Sequence, residues 1–92
     1  MTLKNNPYWE TVKRKVKIRD GFKCVLCNVT APLEIHHITY YVDGKNIIGN
    51  ELDYLEWMVT LCEGCHTDQH FIPNTPFNPR NPNKLNIKEF KK

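Results

Sequence analysis

All the cysteines and histidines of this chain fall into one nested array. Two Cys-x2-Cys pairs, Cys24 with Cys27 and Cys62 with Cys65, enclose an adjacent pair of histidines, and two more histidines follow the second cysteine pair. The histidines are His36, His37, His66 and His70. Thiolates and imidazoles are the side chains that bind zinc and other transition metals. The array therefore predicts two sites, one formed by sulfur and one by nitrogen.

The cysteine spacing favours a structural four-cysteine zinc. Each Cys-x2-Cys pair lets a tight turn present two thiolates to one tetrahedral ion, at Zn–S distances of about 2.3 Å. Disulfides and a redox-active Cys-x2-Cys are the alternatives. The first seven residues lack the features of a secretory signal, so nothing favours an oxidising compartment, and we expect a cytoplasmic protein. A redox site would need only one such pair, beside a βαβ pattern.

The histidines need a separate explanation, because four thiolates already complete a tetrahedral zinc shell. Neutral imidazole binds transition metals, and its reference pKa of about 6.5 also makes it a base at physiological pH. Three histidines around one ion would leave positions for water and substrate oxygens. The alternatives are a helix-surface pair with a strand pair, or histidines that replace cysteines in the zinc shell. The second alternative is disfavoured, because the four thiolates already supply every ligand that a tetrahedral zinc takes.

Length and charge limit the class of protein. A chain of 92 residues is expected to form one domain, 1–92, whose small core needs a metal for stability. The net charge is only +3, but basic residues flank an acidic middle segment. That pattern is typical of flanks that bind a polyanion, although a solvated helix face and a charged tail would also produce it. No apolar run is long enough to span a membrane.

The residue pattern predicts a small α+β fold. Asn6 as N-cap and Pro7 at the first position begin a helix at about 8–19. Strands are expected at 33–42 and within 57–61, followed by a short helix from near Cys65. His36 and His37 can then share a site only if the first strand bends or ends there. We expect the core within about 8–71, and a proline-rich basic tail, 72–92, that either packs as an extended arm or stays mobile.

Three segments together resemble the HNH endonucleases, whose active unit is the ββα-metal motif. They are the run Arg19-Asp-Gly-Phe-Lys-Cys24-x2-Cys27, the group His36-His37-Ile38, and Leu61-Cys62-x2-Cys65-His66-x3-His70. The resemblance covers roughly residues 9–71. It implies a zinc-stapled, treble-clef-like domain, and the residue pattern adds an N-terminal helix and an extended C-terminal tail.

The resemblance also implies an activity. By that pattern the protein is a DNA endonuclease that leaves a 5′-phosphate and a 3′-hydroxyl, as expected of a bacterial or phage enzyme. His37 resembles the general base, while His36, His66 and His70 resemble the ligands of one catalytic divalent cation, Mg2+, Mn2+, Ni2+ or Zn2+. The four cysteines would hold the structural zinc. DNA phosphates would be bound by basic residues of the first helix and the tail: Lys13, Arg14, Lys15, Lys17 and Arg80.

One position departs from the family pattern. Trp57 stands where the middle Asn of the HNH signature is expected, nine residues before His66. In the family this Asn restrains the hairpin loop. Tryptophan has no amide acceptor, so a loop residue, Asn46, Asn50, Glu51 or Asp53, would have to provide that restraint. The run Gly49-Asn50-Glu51 resembles one HNH subgroup, although an ordinary hairpin turn would also explain it. The alternative function is a zinc-knuckle module that binds DNA or a protein and has lost catalysis.

Overall fold

The computed structural model describes residues 6–91, which form a small α+β structure of short strands and helices. The elements in chain order are α1 (Pro7–Arg19), β1 (Leu33–His37), β2 (Tyr41–Val42), β3 (Lys45–Asn46), β4 (Met58–Cys62), α2 (Glu63–Phe71) and α3 (Ile87–Phe90). Two 3-10 turns, Glu51–Asp53 and Leu55–Trp57, precede β4. The basic residues Lys4 and Lys92 lie outside the described range. Within that range, no helix combines the length and apolar character that crossing a membrane requires.

Helix α1 forms where the sequence predicts it. The Asn6 side chain accepts the backbone N–H of Tyr8 at 2.9 Å, so it caps the helix as expected. Asp20 is the C-cap, and Gly21 follows in the left-handed region at φ 75°. Val12 and Val16, one turn apart, are buried against the sheet.

Arg19 and Asp20 attach the end of α1 to β4. The buried Asp20 carboxylate accepts the N–H of Thr60 at 2.9 Å. The Arg19 guanidinium bonds this carboxylate and donates to the carbonyls of Leu55 and Met58, both at 2.6 Å. These charge-assisted bonds position the helix across the strand pair.

Strands β1 and β4 pair antiparallel, from Leu33 opposite Cys62 to His37 opposite Met58. Alternate side chains of the pair contribute to two separate clusters. Ile35 and Met58 pack with α1, whereas Val59 and Leu61 pack with Cys24, Ile38, Phe77 and Ile87 on the other side.

The predicted first strand is too long, because β1 ends at His37 and not at Val42. After His37 the chain turns, and the N–H of Ile38 donates to the carbonyl of Trp57 at 2.8 Å. Tyr41–Val42 then pairs with Lys45–Asn46 as a separate hairpin around Asp43 and Gly44, both at positive φ. The β-branched and aromatic composition of 38–42 suits a strand, but the tight hairpin diverts it.

The described part of the tail packs onto the domain, as a compact loop and not as the expected extended arm. Phe77 is fully buried and Ile87 is 3% exposed, so the core extends past the expected 8–71. The N–H of Leu85 donates to the carbonyl of Pro76 at 2.9 Å, which closes the proline-rich segment into a compact loop. A capping box between Asn86 and Glu89 begins α3.

Candidate metal centres

The four cysteines form one compact cluster. Their sulfur atoms all lie within 4.8 Å of one another, and Cys27 Sγ is 3.6 Å from Cys62 Sγ. All four are free thiols. Sulfurs at the corners of a tetrahedron with Zn–S bonds of about 2.3 Å would be about 3.8 Å apart. The cluster is therefore compatible with a structural zinc.

The local backbone favours the thiolate form of Cys24. Burial raises the pKa of Cys24, but the backbone N–H groups of Cys62, Cys27 and Leu26 lower it by more, to about 7. Burial, followed by the neighbouring thiols, raises the pKa of Cys65. Four thiolates at this separation would repel one another, so a bound cation is what would allow all of them to ionise.

Three of the four histidines form a second cluster. His36 on β1 meets His66 and His70 on α2, and their ligand nitrogens lie within 4.8 Å of one another. The Nε2 atoms of His66 and His70 are 3.1 Å apart, near the separation of about 3.3 Å expected for two imidazoles on one zinc-like ion. The helical spacing places these two rings on one face of α2, as predicted.

His36 has the surroundings expected of a metal ligand. Its side chain is fully buried, and its Nε2 donates to the carbonyl of Phe77 at 2.6 Å. Its Nδ1 is buried without a hydrogen-bond partner among the described residues. Burial lowers the pKa of His36 to about 4, with further lowering by the neighbouring histidines, so the ring is neutral at physiological pH. A neutral imidazole with one free nitrogen is what a metal requires.

The partners of the other two rings complete the cluster. His66 Nδ1 bonds a carboxylate oxygen of Glu34, which leaves its Nε2 for the cluster. Burial, and then the neighbouring His66, lowers the pKa of His70. A carboxylate or carbonyl that accepts from the second nitrogen of a histidine ligand fixes its tautomer. The residues therefore fit a second, open metal site.

His37 lies on the opposite face of β1 from His36. Its ring stacks on Trp9 of α1, with centroids 5.4 Å apart, and its Nε2 is 3.1 Å from a carboxylate oxygen of Glu51. Tyr40 connects the two faces, because it stacks against His37 and also lines the cleft beside His66 and His70. The strand ends at His37, so the two adjacent histidines share its end although they face opposite sides.

Glu51 is the loop residue that contacts His37. Its carboxylate is 4% exposed and also accepts the N–H of Gly49 at 2.9 Å. The sequence offered Glu51 only as one of four candidates for the missing Asn restraint. Trp57 itself packs against the core, and its carbonyl holds Ile38 at the end of β1.

The predicted DNA-binding residues are not all in one place. Of the five, Arg80 is the only one among the described residues that lines the histidine cleft. Lys13 pairs with Glu10 on the α1 surface at 2.8 Å, and Arg14 and Lys15 are exposed on the same helix.

Sequence reasoning missed several residues that support the histidines: Trp9, Glu34, Gln69 and the Phe77 carbonyl. Three are single residues without a motif, and the fourth contact uses a backbone atom that any residue has. Comparison of the chain with protein-family models, with curated proteins and with solved structures finds no match.

Proposed function

We propose that this protein is a metal-dependent DNA endonuclease of the HNH type. The observation that carries the proposal is the buried, unpartnered Nδ1 of His36 in a three-histidine cluster, beside a carboxylate-paired histidine at the end of the same strand. The separate cysteine cluster supports a division between a structural zinc and a catalytic cation. In this proposal, Cys24, Cys27, Cys62 and Cys65 bind the zinc, and the fold is a zinc-stapled ββα-metal domain.

His37 is the proposed general base. A carboxylate can only accept, so Glu51 requires a proton on His37 Nε2 and leaves Nδ1 free to accept one from water. Stacking on Trp9 restrains the ring in the same orientation. The water that has given a proton to His37 bonds through its oxygen to phosphorus while the P–O3′ bond breaks, and the departing oxygen takes a proton from solvent to become the 3′-hydroxyl.

His36, His66 and His70 are the proposed ligands of the divalent cation. A cation held there would polarise the phosphate and offset charge that develops during hydrolysis. The supporting contacts from Phe77 and Glu34 fix the tautomer and the orientation of the His36 and His66 rings for that purpose.

A plasmid assay tests the proposal. We expect the zinc-loaded protein to nick plasmid when Mg2+, Mn2+, Ni2+ or Zn2+ is added. His37→Ala should lower the rate by about 10²- to 10⁴-fold, the usual contribution of a general base. Circular dichroism and zinc content should stay unchanged. Because the variant is purified in the same way, it also controls for a contaminating nuclease.

Two results would contradict the proposal. Equal nicking by His37→Ala would remove the proposed base. A protein that holds zinc but gains no nicking with any cation would instead support the alternative, a non-catalytic module. The alternative is motivated by Trp57, which has no amide to restrain the loop. If the alternative holds, elemental analysis should find only one metal per chain.

A further inference from the structure

A cleft of about 580 Å³ opens beside the histidine cluster. Its lining includes His66 and His70 together with two aromatic residues, Tyr40 and Phe71, and tail residues that include Arg80. This volume lies within the range of about 300–1,000 Å³ that small-molecule sites occupy. The cleft is thus of a size for one nucleotide, next to the proposed cation site.

The tail side of the cleft is fixed in place. Asn78 is 3% exposed, and its side-chain amide donates to the carbonyl of Ile72 at 3.0 Å, just after the end of α2. Its side-chain oxygen accepts the N–H of Arg80 at 2.8 Å. One buried side chain therefore ties the Arg80 backbone to the end of the helix that carries His66 and His70.

The aromatic lining is unusually exposed. Phe71 directly follows His70 and is 79% exposed, the highest value among the exposed large hydrophobic residues that the structure describes. Tyr40 is 39% exposed, although it also stacks against His37. An aromatic ring that the fold leaves in water at the edge of a polar cleft can bury its face only against a bound partner.

The charge of the lining selects an anionic partner. Arg80 supplies a permanent positive charge, and no described residue that lines the cleft is acidic. A ligand with a flat aromatic ring and a phosphate matches both features. A nucleotide within a polynucleotide strand has that chemistry.

We propose that this cleft binds an unpaired nucleotide of the substrate strand, with its base stacked on Phe71 and its phosphate paired with Arg80. This rests on the proposed function, because it takes the histidine cluster as the cleavage site. In a duplex each base face is covered by the neighbouring base pairs, so a side chain can stack on a base only where the base is unpaired or extruded, or where the duplex is locally unstacked. The preferred substrate is therefore single-stranded or locally opened DNA.

An equilibrium binding experiment tests nucleotide binding in the cleft independently of DNA cleavage. The zinc-loaded full chain carrying His37→Ala, without added divalent cation, is titrated into a fluorescent single-stranded oligonucleotide and into a duplex of the same sequence. We expect tighter binding to the single strand. Adding Phe71→Ala should weaken single-strand binding by about 5- to 150-fold, the loss of one base-aromatic stack, and leave duplex binding unchanged.

Two further variants sharpen the result. Phe22→Ala is the matched control, because Phe22 is also an exposed phenylalanine, at 54%, and does not line the cleft. It should bind like its parent. Arg80→Ala should weaken binding to the single strand and lower its salt slope by about 0.7, the value for one phosphate contact.

The outcomes are distinguishable. Tighter duplex binding, no effect of Phe71→Ala, or an equal loss in Phe22→Ala would overturn the stacking proposal even if the protein nicks plasmid. Phe71-dependent single-strand binding by a protein that cuts nothing would retain the nucleotide site and reject the nuclease.

Discussion

The cysteine cluster and the histidine cluster share helix α2, which carries Cys65, His66 and His70, yet they are held in different ways. The cysteines come from two local turns, and the shell of four is complete by itself. The histidines number three, and their rings are held by distant groups such as the Phe77 carbonyl, 41 positions from His36. A closed shell built from local turns suits a structural ion. An open shell supported by long-range contacts suits a site that must accept substrate.

Loss of the sulfur shell should have the largest effect. Cys62→Ser removes one of four thiolates, while the serine hydroxyl can still cap α2 by accepting the N–H of Cys65 in place of the sulfur. Structural zinc contributes apparent binding free energies of about 10–16 kcal/mol, comparable with or larger than the whole stability of a small domain. We expect the variant to be unfolded by circular dichroism and to lack zinc. A folded Cys62→Ser protein without zinc would show that the core suffices and would remove the structural role of the metal.

Loss of a nitrogen ligand should leave the fold intact. His70→Ala removes one of the three proposed ligands, at an exposed position on α2, so the metal content after saturation should fall from two ions per chain to one by elemental analysis. Asp68→Ala is the matched control, since Asp68 is exposed on the same helix and outside the cluster. It should keep both metals. Unfolding of His70→Ala would show that the fold depends on the histidine cluster as well as on the cysteine cluster.

The smallest expected effect concerns a residue that touches no metal. Gln69 is 4% exposed, and its side-chain oxygen accepts the N–H of Phe77 at 3.0 Å, so it holds the backbone that orients His36. Gln69→Ala should weaken the second metal by about 10- to 100-fold, as is usual for residues that orient ligands, with zinc retained.

The variant Gln69→Glu serves as the rescue, because its carboxylate keeps the acceptor for the Phe77 N–H. Titration calorimetry with Mn2+ compares the three proteins. Equal affinity in all three would show that the tail does not support the cluster, and that the histidines are held as locally as the cysteines.

Much of the fold was predictable because its signals are local. Asn6 and Pro7 begin α1 at the expected residue, and the His-x3-His spacing places two rings on one helical face. The overlong first strand was wrong for an equally local reason, since residues 38–42 have strand-forming composition. The turn after His37 depends on a bond from Ile38 to the distant Trp57 carbonyl, which composition cannot reveal.

The supporting residues of the site were less predictable. Glu51 could be named only as one of several loop candidates, because its contact with His37 spans 14 positions and depends on how the loop closes. The Phe77 carbonyl and Gln69 leave no signal at all in the sequence. A proline-rich tail alone did not indicate that it would enter the core.

Residue type and spacing alone predict the two clusters that could bind metal, because cysteine pairs and helical histidines are arranged by contacts within a few residues. The adjacent pair His36 and His37 can share one site only if the strand bends or ends there, since adjacent strand residues face opposite sides. The different surroundings of those two histidines depend on packing. His36 meets α2 and the tail, His37 meets Trp9 and Glu51, and both environments are formed by segments far away in the chain.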